Sequence, residues 1–381
     1  MENQEELPRP SKKKPSELGD DYLEQELYRI MTKAYGWLFS NGKCDGHWKD
    51  VSDTALVALC LTKREPETSP WLNHLRDWLL EQQIEEGDEE GSWEEEIWGT
   101  TTALIALSKL GVPTNHPKMM HGLNFVHKLF NTTGRSNWED EPWETSWAIL
   151  AIAQTNCKKY MEDAYKGLVW LMSLQDESGR IIAPHYTAYF IKITYSMNKR
   201  QLIPDQDLEK YQTTVEKATK YLIDNMKQDI LWTGMSWSNG QILWALASTY
   251  NFPFEDRSAV GNVIDWFSKN QEPGGNWYDA EDTSSAILGL FFLLRGCKIY
   301  NLKERSDIAD IDTVIYERLR RMLSTPKCSF GKKIIETTED GTTRINLTPK
   351  MVRTATIVFA LASGITVLIA LYDWLKPYLS P

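Results

Sequence analysis

Hydrophobic and polar positions fall into two kinds of stretch that take turns along residues 23–297. The first kind carries an apolar stripe at helical spacing, as in Trp71, Leu72, Leu75, Trp78 and Leu79. Such stripes predict amphipathic helices over 23–40, 72–85, 120–130, 160–175, 213–227 and 256–270. The second kind is apolar on most of its surface, as in ALVALCL from Ala55 and AILGLFFLL from Ala286. A helix that is hydrophobic nearly all round belongs inside, so these segments predict an inner layer. Their aligned starts near Thr54, Thr100, Thr145, Thr187, Gly240 and Thr283 are separated by 46, 45, 42, 53 and 43 residues, a helical-hairpin period. Six hairpins with an outer and an inner helix each predict an all-α fold, a closed (α/α)6 barrel. An open solenoid is the alternative that six repeats also permit.

The pattern changes after the sixth unit. Residues 301–324 read as one amphipathic helix with Ile308, Ile311, Val314, Ile315 and Leu319 on its apolar side. Residues 332–348 alternate apolar and polar positions around Asp340-Gly341, which predicts a short β hairpin. Residues 354–372 hold 19 positions without a charge, bounded by Arg353 and by Asp373 and Lys376. At ~1.5 Å per residue such a run crosses a ~30 Å hydrocarbon core, so one C-terminal transmembrane helix is expected rather than a buried core helix. The polar start lacks the apolar centre of a signal peptide and reads as a disordered arm. The expected organisation is an arm over 1–20, a barrel over 21–300, a connecting helix and hairpin over 301–350, and an anchor over 351–376. On this reading the partner is a lipid bilayer, met through 354–372, with the barrel on the cytoplasmic side. The hairpin or the spans would join copies into a homo-oligomer.

Charge and cysteine content narrow the classes. The chain has 42 Lys and Arg against 53 Asp and Glu, a formal charge of -11, which argues against non-specific nucleic-acid binding. Cys44, Cys60, Cys157, Cys297 and Cys328 form no C-x-x-C pair and no disulfide framework, which suits a reducing compartment.

The candidate chemistry sits in the turns before the inner helices, which a barrel gathers at one end. They hold Asp50 and Asp53; Glu94, Glu95 and Glu96; Glu139, Asp140, Glu141 and Glu144; His185; and Asp279, Glu281 and Asp282. Helix capping accounts for some of these acids. Clustered carboxylates also cannot all ionise cheaply, so one of them keeps a proton. Aromatic residues crowd the same turns: Trp98, Trp143, Trp147, Tyr186 and Trp237 lie nearest the inner-helix starts, with Asn239 and Gln241 beside Trp237.

Segments of the form G-x-W…D-T-A-x-x-L-x-x-L, such as CDGHWKDVSDTALVALCL and GGNWYDAEDTSSAILGLFFLLRG, resemble a known repeat. Squalene-hopene cyclases, class II terpene cyclases and protein prenyltransferase β subunits share it, and the resemblance covers roughly 23–297. It implies the α/α toroid. It further implies that Asp279-Ala280-Glu281-Asp282 corresponds to the Asp-x-Asp-Asp acid motif of the class II cyclases. Glu281 would then be the proton-donating middle acid and Asp279 and Asp282 its flanking partners. The departure is Glu281, which moves the carboxyl by one methylene. The resemblance implies an enzyme acting on an isoprenoid-type or other lipid ligand, and the expected span makes it membrane-associated. His185, Tyr186, Trp98, Trp143, Glu144, Trp147, Trp237, Asn239 and Asp53, by their place in the turns and at the inner-helix starts, are the candidate ligand-binding residues. The prenyltransferase D-x-C zinc motif and the D-D-x-x-D magnesium motif are absent, so neither a metal nor a cofactor is expected. The alternatives from other classes are a non-catalytic barrel acting as a membrane-anchored sensor, effector or scaffold, and a sugar hydrolase or lyase using two mouth acids.

Overall fold

The computed structural model describes residues 20–42, 46–94, 96–133, 136–301, 315, 335–337 and 343–345. Among them, six outer helices alternate with six inner ones. The outer set is α1 (Asp20–Asn41), α3 (Pro70–Glu81), α5 (Pro117–Thr133), α7 (Met161–Ser173), α9 (Leu208–Asp224) and α11 (Arg257–Asn270). The inner set is α2 (Val51–Leu61), α4 (Ile97–Lys109), α6 (Pro142–Thr155), α8 (Pro184–Lys199), α10 (Ser236–Ser248) and α12 (Ala280–Asn301). Outer helices bury one stripe, such as Leu72, Leu75 and Leu79 of α3, whereas every residue of α2 is buried. Each inner helix packs on the next, and α12 returns to α2, so the ring closes. The tightest step is α10 on α12. A Cβ on Gly240 would lie 2.5 Å from the backbone of Ser285, and one on Gly289 would lie 2.5 Å from the Gly240 carbonyl.

A repeated brace sets the turn between each outer and inner helix. The backbone N–H of Trp48, Trp93, Trp138, Ile181 and Trp277 donates to the hydroxyl of Thr54, Thr100, Thr145, Thr187 and Thr283, all at 2.9–3.1 Å. In the fifth unit Asn239 takes the threonine's place and its Oδ1 accepts from Trp232 N at 3.2 Å. The indole N–H of Trp93, Trp138, Trp232 and Trp277 then donates to a carbonyl of its own outer helix, at Leu79, Val126, Leu222 and Phe267. The large buried rings thus satisfy their one polar atom while filling the layer between helices.

Glutamines join neighbouring units. Gln83 donates to the carbonyls of Gly91 and Lys118, and Gln175 to those of Gly179 and Thr214. Gln271, after α11, donates to Gly275 O at 2.8 Å and to Ile30 O at 3.0 Å. That pair ties the last unit to the first helix. Gly275 has φ +102°, and a Cβ there would meet the Lys33 carbonyl at 2.5 Å. Only glycine lets the turn approach α1 so closely.

Two expectations for the C-terminal region are corrected. Among the described residues no helix is long and apolar enough to cross a membrane. Residues 354–372 lie outside the described residues, and the single-pass anchor, with the membrane placement of the barrel drawn from it, is not supported. The appended sheet element is also corrected, because the fold is all-α. Among the described residues the strands are β1 (Ile335–Thr337) and β2 (Thr343–Ile345), antiparallel with Ile335 opposite Ile345. Three residues a side are too few to bury an apolar face and make an independent layer. These strands belong to the second of two compact units. Of the helix expected over 301–324, Ile315 is described and buried.

Replacing Gln271 by Leu removes both hydrogen bonds of the clamp at the ring closure. A loss of about 1–3 kcal/mol is expected in urea unfolding. Gln82→Leu, at an exposed position, is expected to stay within about 0.5 kcal/mol of wild type. Equal stability of the two variants would show that the closure does not depend on this clamp.

Candidate acid site

The first turns of the inner helices bring the acids together, and several of them have structural tasks. Asp50 caps α2, its Oδ1 accepting from Asp53 N at 2.8 Å and from Ser52 Oγ at 2.9 Å. Asp279 caps α12 in the same way, accepting from Asp282 N at 3.0 Å. Two carboxylates reach across units. Glu94, before α4, accepts from Val51 N of α2 at 2.6 Å. Asp282, on α12, accepts from Trp237 N of α10 at 3.0 Å. Free N–H groups at helix N-termini favour these carboxylates in their charged form.

Asp53 and Glu281 are left between the caps. Both carboxyls are pushed up to about 7, Glu281 by burial and then by Asp53, Asp279, Asp282 and Asp50, and Asp53 by burial and then by Asp50 and Asp279. Lys49 opposes this at Asp53, but its side chain is 79% exposed. Asp282 rises to about 6, from burial and from Asp279, against the hydrogen bond from Trp237. Asp53, Glu281 and Asp282 therefore form one proton-holding group around the Asp279 cap, in which desolvation and mutual repulsion outweigh the helix dipoles.

Glu144 belongs to a second group. Burial raises it to about 7, followed by Glu139, Glu96 and Glu141, and its buried Oε2 has no protein partner. Burial lowers His185 to about 4, so its ring is neutral near pH 7. Its Nδ1 is buried without a partner.

Aromatic rings connect the two groups. Trp143 is the hub, with centroids 4.9 Å from Trp98, 6.1 Å from Trp147, 5.5 Å from Tyr189 and 5.6 Å from Trp237. His185 lies 4.1 Å from Tyr186 and 5.3 Å from Trp237. Trp147 is fully buried, whereas Trp98, Trp143, Tyr186 and Trp237 keep a partly open face. Any ligand at this end therefore lies over the cluster rather than between its rings. Asn239 stands apart: its side chain is fully buried and spent on the brace, with Nδ2 donating to Ile230 O at 3.0 Å.

Tyr189 was missed in the sequence. It is almost fully buried, its hydroxyl donates to Gln241 Oε1, and the charge of Glu281 acts on it. The available signal was its place one helical turn after His185. Among the described residues no group of three or more His, Cys, Asp or Glu is arranged to hold a metal ion.

No protein-family profile and no curated protein matches the chain. Solved structures do. A type II terpene cyclase from Scytonema, MstE in its apo form, superposes with a TM-score of 0.55 at 11% identity, covering 72% of this chain and 99% of that one. A polysaccharide lyase superposes with a TM-score of 0.49 at 13% identity, covering 74% of this chain and 98% of that one. The first likeness is one of fold, terpene-cyclase-like and all-helical. It supports neither the membrane anchor nor a membrane-associated activity. The bilayer partner is withdrawn because it rested on a span that no described helix provides, and the isoprenoid or lipid ligand and the homo-oligomer are withdrawn because a likeness of fold at 11% identity does not support them.

The carboxyl shifts set the pH dependence of stability. The folded values of Asp53, Glu281 and Glu144 lie above their unfolded ones, so folding takes up protons between roughly pH 4 and 7. Stability from these groups is fully present below that window and is lost as pH rises through it. Glu281→Gln is therefore expected to raise Tm at pH 8 by about 2–4 °C, the shift that accompanies ~1 kcal/mol in a domain of this size, and to leave it unchanged at pH 4. Scanning calorimetry at both pH values decides this, and an equal shift at both would remove the repulsion argument.

Proposed function

We propose that the acid end of the barrel is a general-acid site in which Glu281 donates a proton to a neutral small molecule lying over the Trp98, Trp143 and Trp237 rings. The observation that carries this reading is Glu281 itself, half-buried among Asp53, Asp279 and Asp282 and raised to about 7. A carboxylic acid with that value is protonated near neutrality and can still give up its proton, the condition under which general acids work best. In the step, the Glu281 O–H bond breaks and the proton passes to a basic atom or π bond of the substrate. Glu281 becomes a carboxylate, and positive charge develops on the substrate.

The surroundings suit that charge movement. The aromatic faces attract developing positive charge. Asp279 and Asp282, held by backbone N–H groups, keep the local potential negative. His185, neutral and with a value of about 4, is too weak a base to take the Glu281 proton first. Negative potential also disfavours anionic substrates, which is why the substrate class is neutral. Asp53, whose charge acts on Glu281, shares the excess proton.

The test uses the purified full chain with a fractionated pool of neutral small molecules in D2O, followed by mass spectrometry. Wild type is expected to form at least one product that Glu281→Gln loses by about 100-fold or more and that the exposed-site variant Glu139→Gln retains. Proton delivery to carbon adds one deuterium to that product. If no product depends on Glu281, the site is not a general-acid site.

A further inference from the structure

The other end of the ring has the opposite chemistry. The C-terminal halves of the inner helices line an open cavity of about 510 Å³, within the usual range for small-molecule sites. Lys63, Lys109, Lys192, Lys199, Arg200 and Arg295 line it, and among the described residues no carboxylate does. Its remaining wall includes Trp244 and Phe292. In a chain with a net charge of -11, this is a concentrated patch of the minority sign.

Capping of helix C-termini explains part of the pattern. Arg200 donates to the Ser196 and Gln154 carbonyls at 3.4 and 3.3 Å, where helix dipoles favour a cation. It does not explain Lys192. That residue sits about two turns inside α8 and is 7% exposed. Its Nζ donates to Ser248 Oγ at 2.9 Å and lies 3.8 Å from the Trp244 ring centroid. Burial, and then the charges of Lys109 and Lys63, hold its ammonium well below the ordinary lysine value. Lys109 is lowered in turn by burial and by Arg200 and Lys199. Five cations from three helices, Lys63 after α2, Lys109 at the end of α4 and Lys192, Lys199 and Arg200 of α8, thus repel one another around one concavity, at a standing cost to the fold that a multivalent anion would remove.

We propose that this cavity binds a small phosphate-bearing polyanion, with Lys109, Lys192, Lys199 and Arg200 meeting the phosphoryl oxygens and Trp244 and Phe292 contacting the body of the ligand. Phosphoryl groups pack the densest charge into such a volume and match the fork of an arginine. A cavity of about 510 Å³ is too small for an extended nucleic acid. The site shares no residue with the acid end, so either reading can fail alone.

Calorimetric titration of the full chain with inorganic pyrophosphate tests it. Wild type is expected to bind one pyrophosphate per chain, more weakly as salt rises. Lys192→Met and Lys109→Gln are each expected to weaken binding by about tenfold or more, and Lys217→Gln, exposed on α9, to leave it unchanged. Lys109 is accessible, so its variant keeps the test valid if Lys192→Met fails to fold. Absence of binding by wild type, or equal binding by the Lys109 variant, would overturn the site. Citrate binding as tightly as pyrophosphate would overturn the phosphate assignment.

Discussion

The constraint on which the rest depends is that all six inner helices run in the same direction around a closed ring. Every N-terminus then lies at one end and every C-terminus at the other. The acids cluster in the first turns, where Asp50, Glu94, Asp279 and Asp282 accept from backbone N–H groups. The cations cluster in the last turns, around the cavity lined by Lys192 and Arg200. Aligned backbone dipoles favour this separation. It leaves each end with more like charge than the dipoles can neutralise, and that excess is what gives each end chemistry.

Parallel inner helices need turns of nearly constant shape, and the threonine brace supplies them. One hydroxyl accepts the N–H of the residue that begins the turn, and the tryptophan ring anchors the turn to the outer helix. Where the sequence departs from the pattern the geometry is kept by other means: Asn239 replaces threonine, and Ile181 replaces tryptophan. This explains why a residue beside the aromatic cluster, Asn239, is not available to a ligand, although its neighbours in sequence suggested otherwise. The glutamine clamps act between units, and the one at Gln271 joins positions some 240 residues apart in the chain.

Much of the acid end was legible beforehand because it is local. Asp279, Glu281 and Asp282 lie in one helical turn, and Trp143, Glu144 and Trp147 in another, so spacing alone places them together. What spacing did not reveal was the partnership of Glu281 with Asp53, more than 200 residues away, or the burial that raises both. The C-terminal region shows the opposite failure. A run of apolar residues and an Asp-Gly turn are signals of composition: no described helix provides the span, and the strand pairing around the turn amounts to three residues a side in an otherwise all-α fold.

By itself the sequence determined the alternation of twelve helices, which of them are inner, and the acid and aromatic character of the inner-helix starts. These follow from 3.6-residue periodicity and from capping preferences, which act within a few residues. Only the tertiary structure decided the ring closure, the proton-holding group and the basic cavity. Lys109 and Lys192 are unremarkable in sequence, each a lone cation in or at the end of an apolar helix. They become a site because closing the ring brings the ends of distant helices to one axis, where desolvation and repulsion, negligible along the chain, become large.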